Sequence, residues 1–231
     1  MAGIRSALFA ALLGAGACQV GTEVPAVPWL HGMTDVAVSE QANDSVTRRL
    51  DEWSPAVDVD ECAGAAYPGI ELTADVAGST RKETVLASYA QGIVVLDGER
   101  RLVASTPGYR CGGTADEIQA VVVGSAFGDR TLVIVGTTGG HREADTWLGM
   151  FRVGFDKRLD PVFTGVVEER RGDRVEQGAV HMLPGALIYT PPGRTPTLWF
   201  WNPVARAYLL PGHPVDDSHD DGPRDETFPQ T

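Results

Sequence analysis

The chain is poor in basic residues, and it lacks an apolar run long enough to cross a bilayer. Its 19 lysines and arginines are outnumbered by 31 aspartates and glutamates, which gives a formal net charge of -12. This deficit argues against a nucleic-acid partner and against electrostatic docking to anionic lipid, because both favour basic patches. The apolar run at 7–13 is far shorter than the roughly 20 residues of a membrane-spanning helix, so no span is predicted there.

The sequence also lacks the motifs of the common catalytic centres. Its five histidines form no H-E-x-x-H pair, and no serine or cysteine stands at a recognisable spacing from one of them. The segment GTTGG has neither the lysine nor the helix of a phosphate-binding loop. Asp58, Asp60 and Glu61 offer only three clustered carboxylates, whereas Ca²⁺ takes about six to eight oxygen ligands, so a solvated turn is the default. The sequence therefore implies no cofactor and no metal.

The first eighteen residues carry the clearest positive signal. Arg5 precedes the apolar run, and the small residues at 15–17 lead directly into Cys18. A basic start, a short apolar core and small residues are typical of a cleaved export signal. With a cysteine directly after them, residues 1–18 resemble the signal of a bacterial lipoprotein. The resemblance implies that residues 1–17 are removed and that Cys18 becomes the acylated first residue.

An acylated Cys18 would make membrane lipid a partner of this protein. The lipoprotein linkage implies fatty acyl chains such as palmitate, and two or more chains anchor a protein stably. Gln19 stands where an aspartate retains many lipoproteins at the inner membrane, so the resemblance points to an outer-membrane anchor in the bacterial envelope. The alternatives are an ordinary cleaved signal that leaves Cys18 as a thiol, and a cytoplasmic protein with an apolar start.

The number of cysteines is compatible with export and acylation. Three cysteines leave one thiol over in a secreted protein, and acylation of Cys18 would remove it. Cys62 and Cys111 would then pair as a disulfide in an oxidising compartment. A bridge across their 49-residue separation would stabilise the fold by about 4 kcal/mol on chain-entropy arithmetic. Two reduced thiols are the alternative if the protein is not exported.

From about residue 83 onward, short β-branched runs alternate with turn residues. The predicted strands are 84–89, 92–97, 101–106, 118–124, 131–137, 147–153, 162–168, 179–183, 186–190, 198–202 and 207–210. Because no long amphipathic helical pattern separates them, we predict an all-β antiparallel fold, either a sandwich or a partly open barrel. Asp97-Gly98 and Gly128-Asp129 mark hairpins, the first with the residues of a type I′ turn, and Gly172-Asp173 and Asn202-Pro203 mark further turns.

A weak repeat suggests a second architecture. Each of three runs pairs an apolar strand with a turn and a second strand: GIVVLDGERRLVAS, GDRTLVIVGTTGGHREADTWLGMFRV and GALIYTPPGRTPTLWFWNPVARAYL. These runs resemble blades of a β-propeller with a period of roughly 45–50 residues. Closed propellers typically need about 4–8 blades, so a compact propeller-like array of about three blade-like units ranks second.

The segments that flank the β-rich domain differ from it in composition. After the signal peptide at 1–17, residues 18–55 contain prolines and no period-two run, which predicts a tether. The β-rich domain covers 56–210. Residues 211–231 are acidic and almost free of apolar side chains, which predicts a disordered tail. Histidines and aspartates in this tail are read as solvated charge, because a flexible tail does not pre-organise metal ligands.

One short helix is predicted inside the tether. Val46, Leu50 and Trp53 recur at spacings of four and three, which favours a helix over 44–53. Such a helix would pack on the β-rich domain or, alternatively, dock a partner protein.

Two places in the β-rich domain are candidate binding surfaces. The segment GTTGGHREADTW gathers His141, Arg142, Glu143 and Asp145 between two predicted strands, and loops on a rigid β scaffold often carry function. The segment LWFW is the second place, a possible carbohydrate platform. Alternation along a strand predicts that its two tryptophans share one face while Phe200 lies on the other.

These observations favour binding over catalysis. We predict an outer-membrane lipoprotein whose β-rich domain is a binding or structural component of an envelope assembly, with an envelope protein as a further partner. The alternative is an envelope hydrolase that acts on glycan or peptide through His141, Glu143 and Asp145, because glycosidases work with two carboxylates across a cleft.

Overall fold

The computed structural model describes residues 27–50, 52–53, 67–108, 116–140 and 142–212. Within these ranges the chain forms sixteen strands and one short helix. The strands form three sheets, one of which curls into half a barrel. The prediction of an all-β sandwich or partly open barrel is confirmed. Every predicted strand overlaps an observed one.

We name the three sheets by their place in the chain. The N-sheet contains, in spatial order, β3 (Ala42–Asn43), β4 (Gly69–Ala74), β5 (Glu83–Ser88), β6 (Gly92–Leu96) and β7 (Leu102–Thr106). The central sheet contains β12 (Arg174–Gln177), β11 (Leu159–Arg171), β10 (Glu143–Val153), β9 (Asp129–Gly139), β8 (Glu117–Ala126) and β2 (Thr34–Ser39). The C-sheet contains β1 (Leu30–His31), β13 (Ala179–Leu183), β14 (Ala186–Thr190), β15 (Thr197–Asn202) and β16 (Ala207–Leu209). Each of the three repeat-like runs lies in a different sheet.

The middle of the central sheet is buried on both faces. On β8, Val121 and Val123 pack into the core that is shared with the N-sheet. Ala120 and Val122 pack into the core that is shared with the C-sheet. Successive side chains of a strand point to opposite faces, so a strand between two layers needs an uninterrupted apolar run. This requirement explains the run of consecutive apolar residues in β8.

The segment that was predicted as a tether supplies one strand to every sheet. β1 pairs Leu30 with Val180 in the C-sheet, β2 pairs with β8 in the central sheet, and β3 pairs with β4 in the N-sheet. The prediction of a tether is therefore wrong for residues 27–50. These strands escape local pattern analysis because β1 and β3 have two residues each and because the partner of Leu30 lies 150 positions along the chain.

The helix predicted in the same segment is present as α1 (Asp44–Leu50). Its start is stabilised by Asn43, whose Oδ1 accepts a hydrogen bond of 2.8 Å from the backbone N–H of Ser45. Val46 and Leu50 are buried against Leu86, Val94 and Leu96 of the N-sheet, and Trp53 packs against the same cluster. The helix thus covers the outer face of the N-sheet, as the packing alternative of the sequence analysis predicts.

The layer between the central sheet and the C-sheet is built from three aromatic rings. Phe163 packs edge-on against Tyr189 and Trp199, with ring centroids 5.1 and 5.4 Å apart. The hydroxyl of Tyr189 crosses the layer and donates a hydrogen bond of 2.8 Å to the carbonyl of Val166. Burial raises the pKa of Tyr189 to about 12, so the phenol keeps its proton at any physiological pH.

Both hairpins with sequence signals form, but their turn residues differ from the predicted ones. Between β8 and β9 the central turn residues are Phe127 and Gly128, with φ of 54° and 94°, as a type I′ turn requires. Between β6 and β7 the turn is longer, and the positive φ of 61° falls on Arg100. There Asp97 acts as a cap, because its carboxylate accepts backbone hydrogen bonds from Arg101 and Glu99, and these bonds lower the pKa of Asp97.

Several sequence-based predictions lie outside the described residues. These are the acylation of Cys18, the Cys62–Cys111 disulfide, the role of His141 and the acidic tail beyond residue 212. No helix in the described ranges is both long and apolar enough to cross a membrane.

Candidate functional site

The predicted surface loop between β9 and β10 is a short turn. β9 extends to Gly139 and β10 begins at Glu143, so only three residues connect them. The N–H of Gly140 donates a hydrogen bond of 2.7 Å to the carbonyl of Glu143, and the N–H of Gly172 donates one of 2.7 Å to the carbonyl of Arg142. The hairpin end is therefore held by backbone contacts. Arg142 and Glu143 are exposed.

The acidic residues of this segment lie on one face of β10, beside an arginine. Oδ1 of Asp145 accepts a hydrogen bond of 2.6 Å from Nη1 of Arg171, and Glu169 lies 3.8 Å from the same guanidinium. The hydrogen bond with Asp145 raises the pKa of Arg171. Asp145 is thus engaged in an ion pair on a partly exposed surface, where it stabilises the hairpin end instead of facing a cleft.

The opposite face of the same strands carries a polar recess of about 140 Å³. A cross-strand row of five polar side chains, the polar row, runs through it: Glu117, Thr137, Thr146, Glu168 and Gln177. Further lining comes from Gln119, Gly140, Ala144 and Arg170. The row exists because the antiparallel register brings one polar residue from each of five strands into line.

Hydrogen bonds within the recess are long. The hydroxyls of Thr137 and Thr146 lie 3.5 Å apart at the buried floor. Nη2 of Arg170 and Nε2 of Gln177 each donate to Glu168 over 3.3 Å. Hydrogen bonds of this length are weak, since the optimum for N–H···O is near 2.9 Å. Donors and acceptors of the recess therefore retain capacity for a polar group that enters from solvent.

The two glutamates of the polar row stand on strands that are not neighbours. Glu117 and Glu168 belong to β8 and β11, which are separated by two intervening strands. Three strand spacings place their backbones about 14 Å apart. Carboxyl pairs in glycosidases lie about 5–10 Å apart. With backbones this far apart, the two side chains would have to extend toward each other to form such a pair.

The second candidate surface is the outer face of the C-sheet. Trp199 and Trp201 point inward and pack on the core, while Leu198 and Phe200 point outward with 42% and 48% of their surface exposed. The alternation predicted from LWFW is thus present. Trp147 is buried under Gly136, where a Cβ atom would meet its ring at 2.3 Å. The tryptophans of the predicted carbohydrate platform pack against the core and are partly buried, and Phe200 is the aromatic residue that the segment exposes.

A histidine pair lies at the edge of this outer face. His31 of β1 and His181 of β13 are register partners, and their rings stack with centroids 4.4 Å apart. Burial and, to a smaller extent, the neighbouring His181 lower the pKa of His31. The lowered pKa favours the neutral state of the His31 ring.

No family model, curated protein or solved structure matches this chain. The candidate site is therefore supported by the geometry of the structure alone. Sequence reasoning placed Glu143 and Asp145 in a loop, whereas they belong to strand β10 at the hairpin end, and it missed the polar row on the other face. Thr137 and Thr146 gave no signal, because threonine is a common strand residue and their alignment depends on register between strands.

Proposed function

We propose that this protein is a lipoprotein of the bacterial outer membrane, held by an acylated Cys18, whose β domain binds a component of an envelope assembly without catalysis. The observation that carries the binding role is the polar recess: its floor is hydroxyl groups, its rim mixes donors with acceptors, and its two glutamates stand on strands whose backbones are about 14 Å apart. The ion pair of Asp145 with Arg171 supports a structural role for the neighbouring hairpin end.

The anchor is tested by metabolic labelling with palmitate in cells that express the natural chain or Cys18→Ser. We expect label and outer-membrane sedimentation for the natural chain, and loss of both for the variant. A Cys18→Ser chain that still sediments with the outer membrane would refute the anchor.

The recess is tested by crosslinking in the native envelope followed by mass spectrometry. Glu168→Gln removes the charge of a carboxylate that pairs with Arg170 inside the recess. Glu99→Gln is the matched control, because Glu99 pairs with Arg101 at a turn far from the recess in the chain. We expect Glu168→Gln to reduce the yield of the crosslinked partner severalfold and Glu99→Gln to leave it unchanged.

Catalysis remains a measurable alternative outcome. Turnover of a glycan or peptide substrate by the natural chain, lost in His141→Ala or Glu143→Gln, would replace the binding role with the envelope hydrolase described above. Equal crosslinking yields in Glu168→Gln and the natural chain would remove the recess from the proposal.

A further inference from the structure

Acidic residues are absent from the C-sheet although the chain is strongly acidic. The sequence holds 31 aspartates and glutamates among 231 residues, yet none lies in 27–33 or 178–212, which contain the whole C-sheet with its turns. The ionisable side chains of these segments, tyrosines aside, are two arginines, Arg194 and Arg206, and the two stacked histidines. The chain as a whole is acidic, but the segments that form the C-sheet contribute no carboxylate side chain.

This layer exposes rows of apolar side chains on its outer face. One cross-strand row holds the exposed Phe200 with the half-buried Leu183 and Leu209 and the buried Ala186; the next holds the exposed Leu198 with the half-buried Ile188 and the stacked His31 and His181. By contrast, the outer face of the N-sheet is covered by α1. Within the described residues, the C-sheet is the layer whose outer face combines apolar rows with an absence of acids.

The edge strand of this sheet is close to Cys18 in the chain. Eight residues, 19–26, separate Cys18 from Val27, which packs in the core of the C-sheet. Eight residues span at most about 28 Å when fully extended. An acylated Cys18 would therefore keep the C-sheet within a short distance of the bilayer.

We propose that the outer face of the C-sheet lies on the phospholipid bilayer, with the rows that contain Phe200 and Leu198 in the interfacial region. This inference rests on the proposed anchor at Cys18. A tether that holds a surface near its ligand gives a high effective concentration, so an apolar patch of low intrinsic affinity is sufficient. The absence of carboxylates removes the repulsion that anionic headgroups would otherwise exert.

A second copy of the chain is a poorer occupant of this face. The 21 residues of its five strands, at about 3.3 Å along each strand and about 4.8 Å between strands, give a face of about 330 Å². Stable protein interfaces bury about 800 Å² on each partner. The face is too small for a stable dimer, whereas membrane contact of an anchored protein has no such minimum.

The test places a photo-crosslinking amino acid at position 200 or, as a control, at position 175 of the full acylated chain. Phe200 and Val175 are 48% and 49% exposed, but Val175 lies on β12 of the central sheet. The protein is reconstituted in vesicles of phosphatidylethanolamine and phosphatidylglycerol, irradiated and analysed by mass spectrometry. We expect about tenfold more lipid adduct at 200 than at 175, a ratio that corresponds to ~1.4 kcal/mol.

A third chain carries Leu198→Glu together with the crosslinker at 200. Because a carboxylate resists transfer into the interface, we expect lipid adduct at 200 to fall to the level of position 175. Circular dichroism checks that this exposed substitution leaves the sheet folded.

Each of the remaining outcomes would overturn the inference, and each would do so for a different reason. Equal lipid adducts at 200 and 175 in acylated protein would refute the membrane contact and leave the anchor intact. Adducts at 200 that map to residues 213–231 would identify the acidic tail as the occupant, and adducts of doubled mass would identify a second copy. An intact mass without acyl chains would overturn the anchor and, with it, this inference.

Discussion

The two outer sheets differ in what covers them. The N-sheet buries Leu86, Val94 and Leu96 under α1, whereas the C-sheet leaves Leu198 and Phe200 nearly half exposed. Both sheets contain uninterrupted apolar runs, such as IVVL in β6 and LWFW in β15. The difference shows that an apolar run on a strand does not determine burial on both faces. Burial depends on whether another part of the chain, here α1, is available as a cover.

The largest expected effect compares a leucine of α1 that packs on the N-sheet with a leucine on the outer face of the C-sheet. Leu50→Ala empties a fully buried position between α1 and the N-sheet and should lower the free energy of unfolding by about 2–5 kcal/mol. Leu198→Ala on the outer face of the C-sheet should lower the free energy of unfolding by less than about 1 kcal/mol, because much of the side chain is already in water. Urea denaturation of both variants measures the difference, and equal losses would mean that the outer face of the C-sheet is covered in solution.

The next effect concerns the layer that attaches the C-sheet. A Cβ atom at Gly165 would lie 2.7 Å from the ring of Tyr189 and 2.9 Å from that of Phe163. Gly165→Ala should therefore cost about 1–3 kcal/mol through overpacking and should weaken the hydrogen bond of Tyr189 to Val166. Gly172→Ala is a control without steric overlap, although its φ of 62° adds backbone strain. Thermal unfolding that ranks Gly172→Ala as the more harmful variant would contradict the packing argument.

A smaller effect is expected for a buried carboxylate that holds a turn of the N-sheet by hydrogen bonds. The buried carboxylate of Glu83 accepts hydrogen bonds of 2.7 Å from Val76 N–H and 3.1 Å from the Ser79 hydroxyl. Glu83→Gln replaces one acceptor oxygen by an amide donor, so we expect a loss of about 1–2 kcal/mol in urea denaturation. Protection of Val76 N–H against hydrogen exchange should fall as well. Unchanged protection would show that the 76–79 turn does not depend on this carboxylate.

The smallest effect is a pH dependence confined to the edge of the C-sheet. Since the pKa of His31 is lowered in the fold from 6.5, the unfolded chain binds the proton more readily, and stability falls as the pH drops through this value. The natural chain should lose more stability than His31→Gln between about pH 7.5 and pH 5.5. Denaturation curves at both pH values check this, and an equal loss in the two proteins would remove His31 from the explanation.

Local sequence patterns predicted the long strands and α1 but not what joins the layers. Val121, Val122 and Val123 mark β8 as a strand because a doubly buried strand must be apolar throughout. The two residues of β1 carry no pattern, since their pairing depends on Val180, far along the chain. The polar row was missed for the same reason, because Thr137 and Thr146 become neighbours only through the register of β9 and β10. Glu143 and Asp145 were noticed as charges, but the ion pair with Arg171 is set by the neighbouring strand.

The placement of β1, β2 and β3 has a consequence for the order of assembly. These strands are synthesised first, yet β1 completes its pairing only with residues 180 and 181. Contacts of such long sequence separation form slowly, because loop closure costs entropy before any contact is gained. The leading segment therefore pairs in steps: β3 needs only residues 69 and 70, β2 needs residues up to 125, and β1 pairs last. The third layer thus receives its edge strand only when residues near the far end of the described chain are in place.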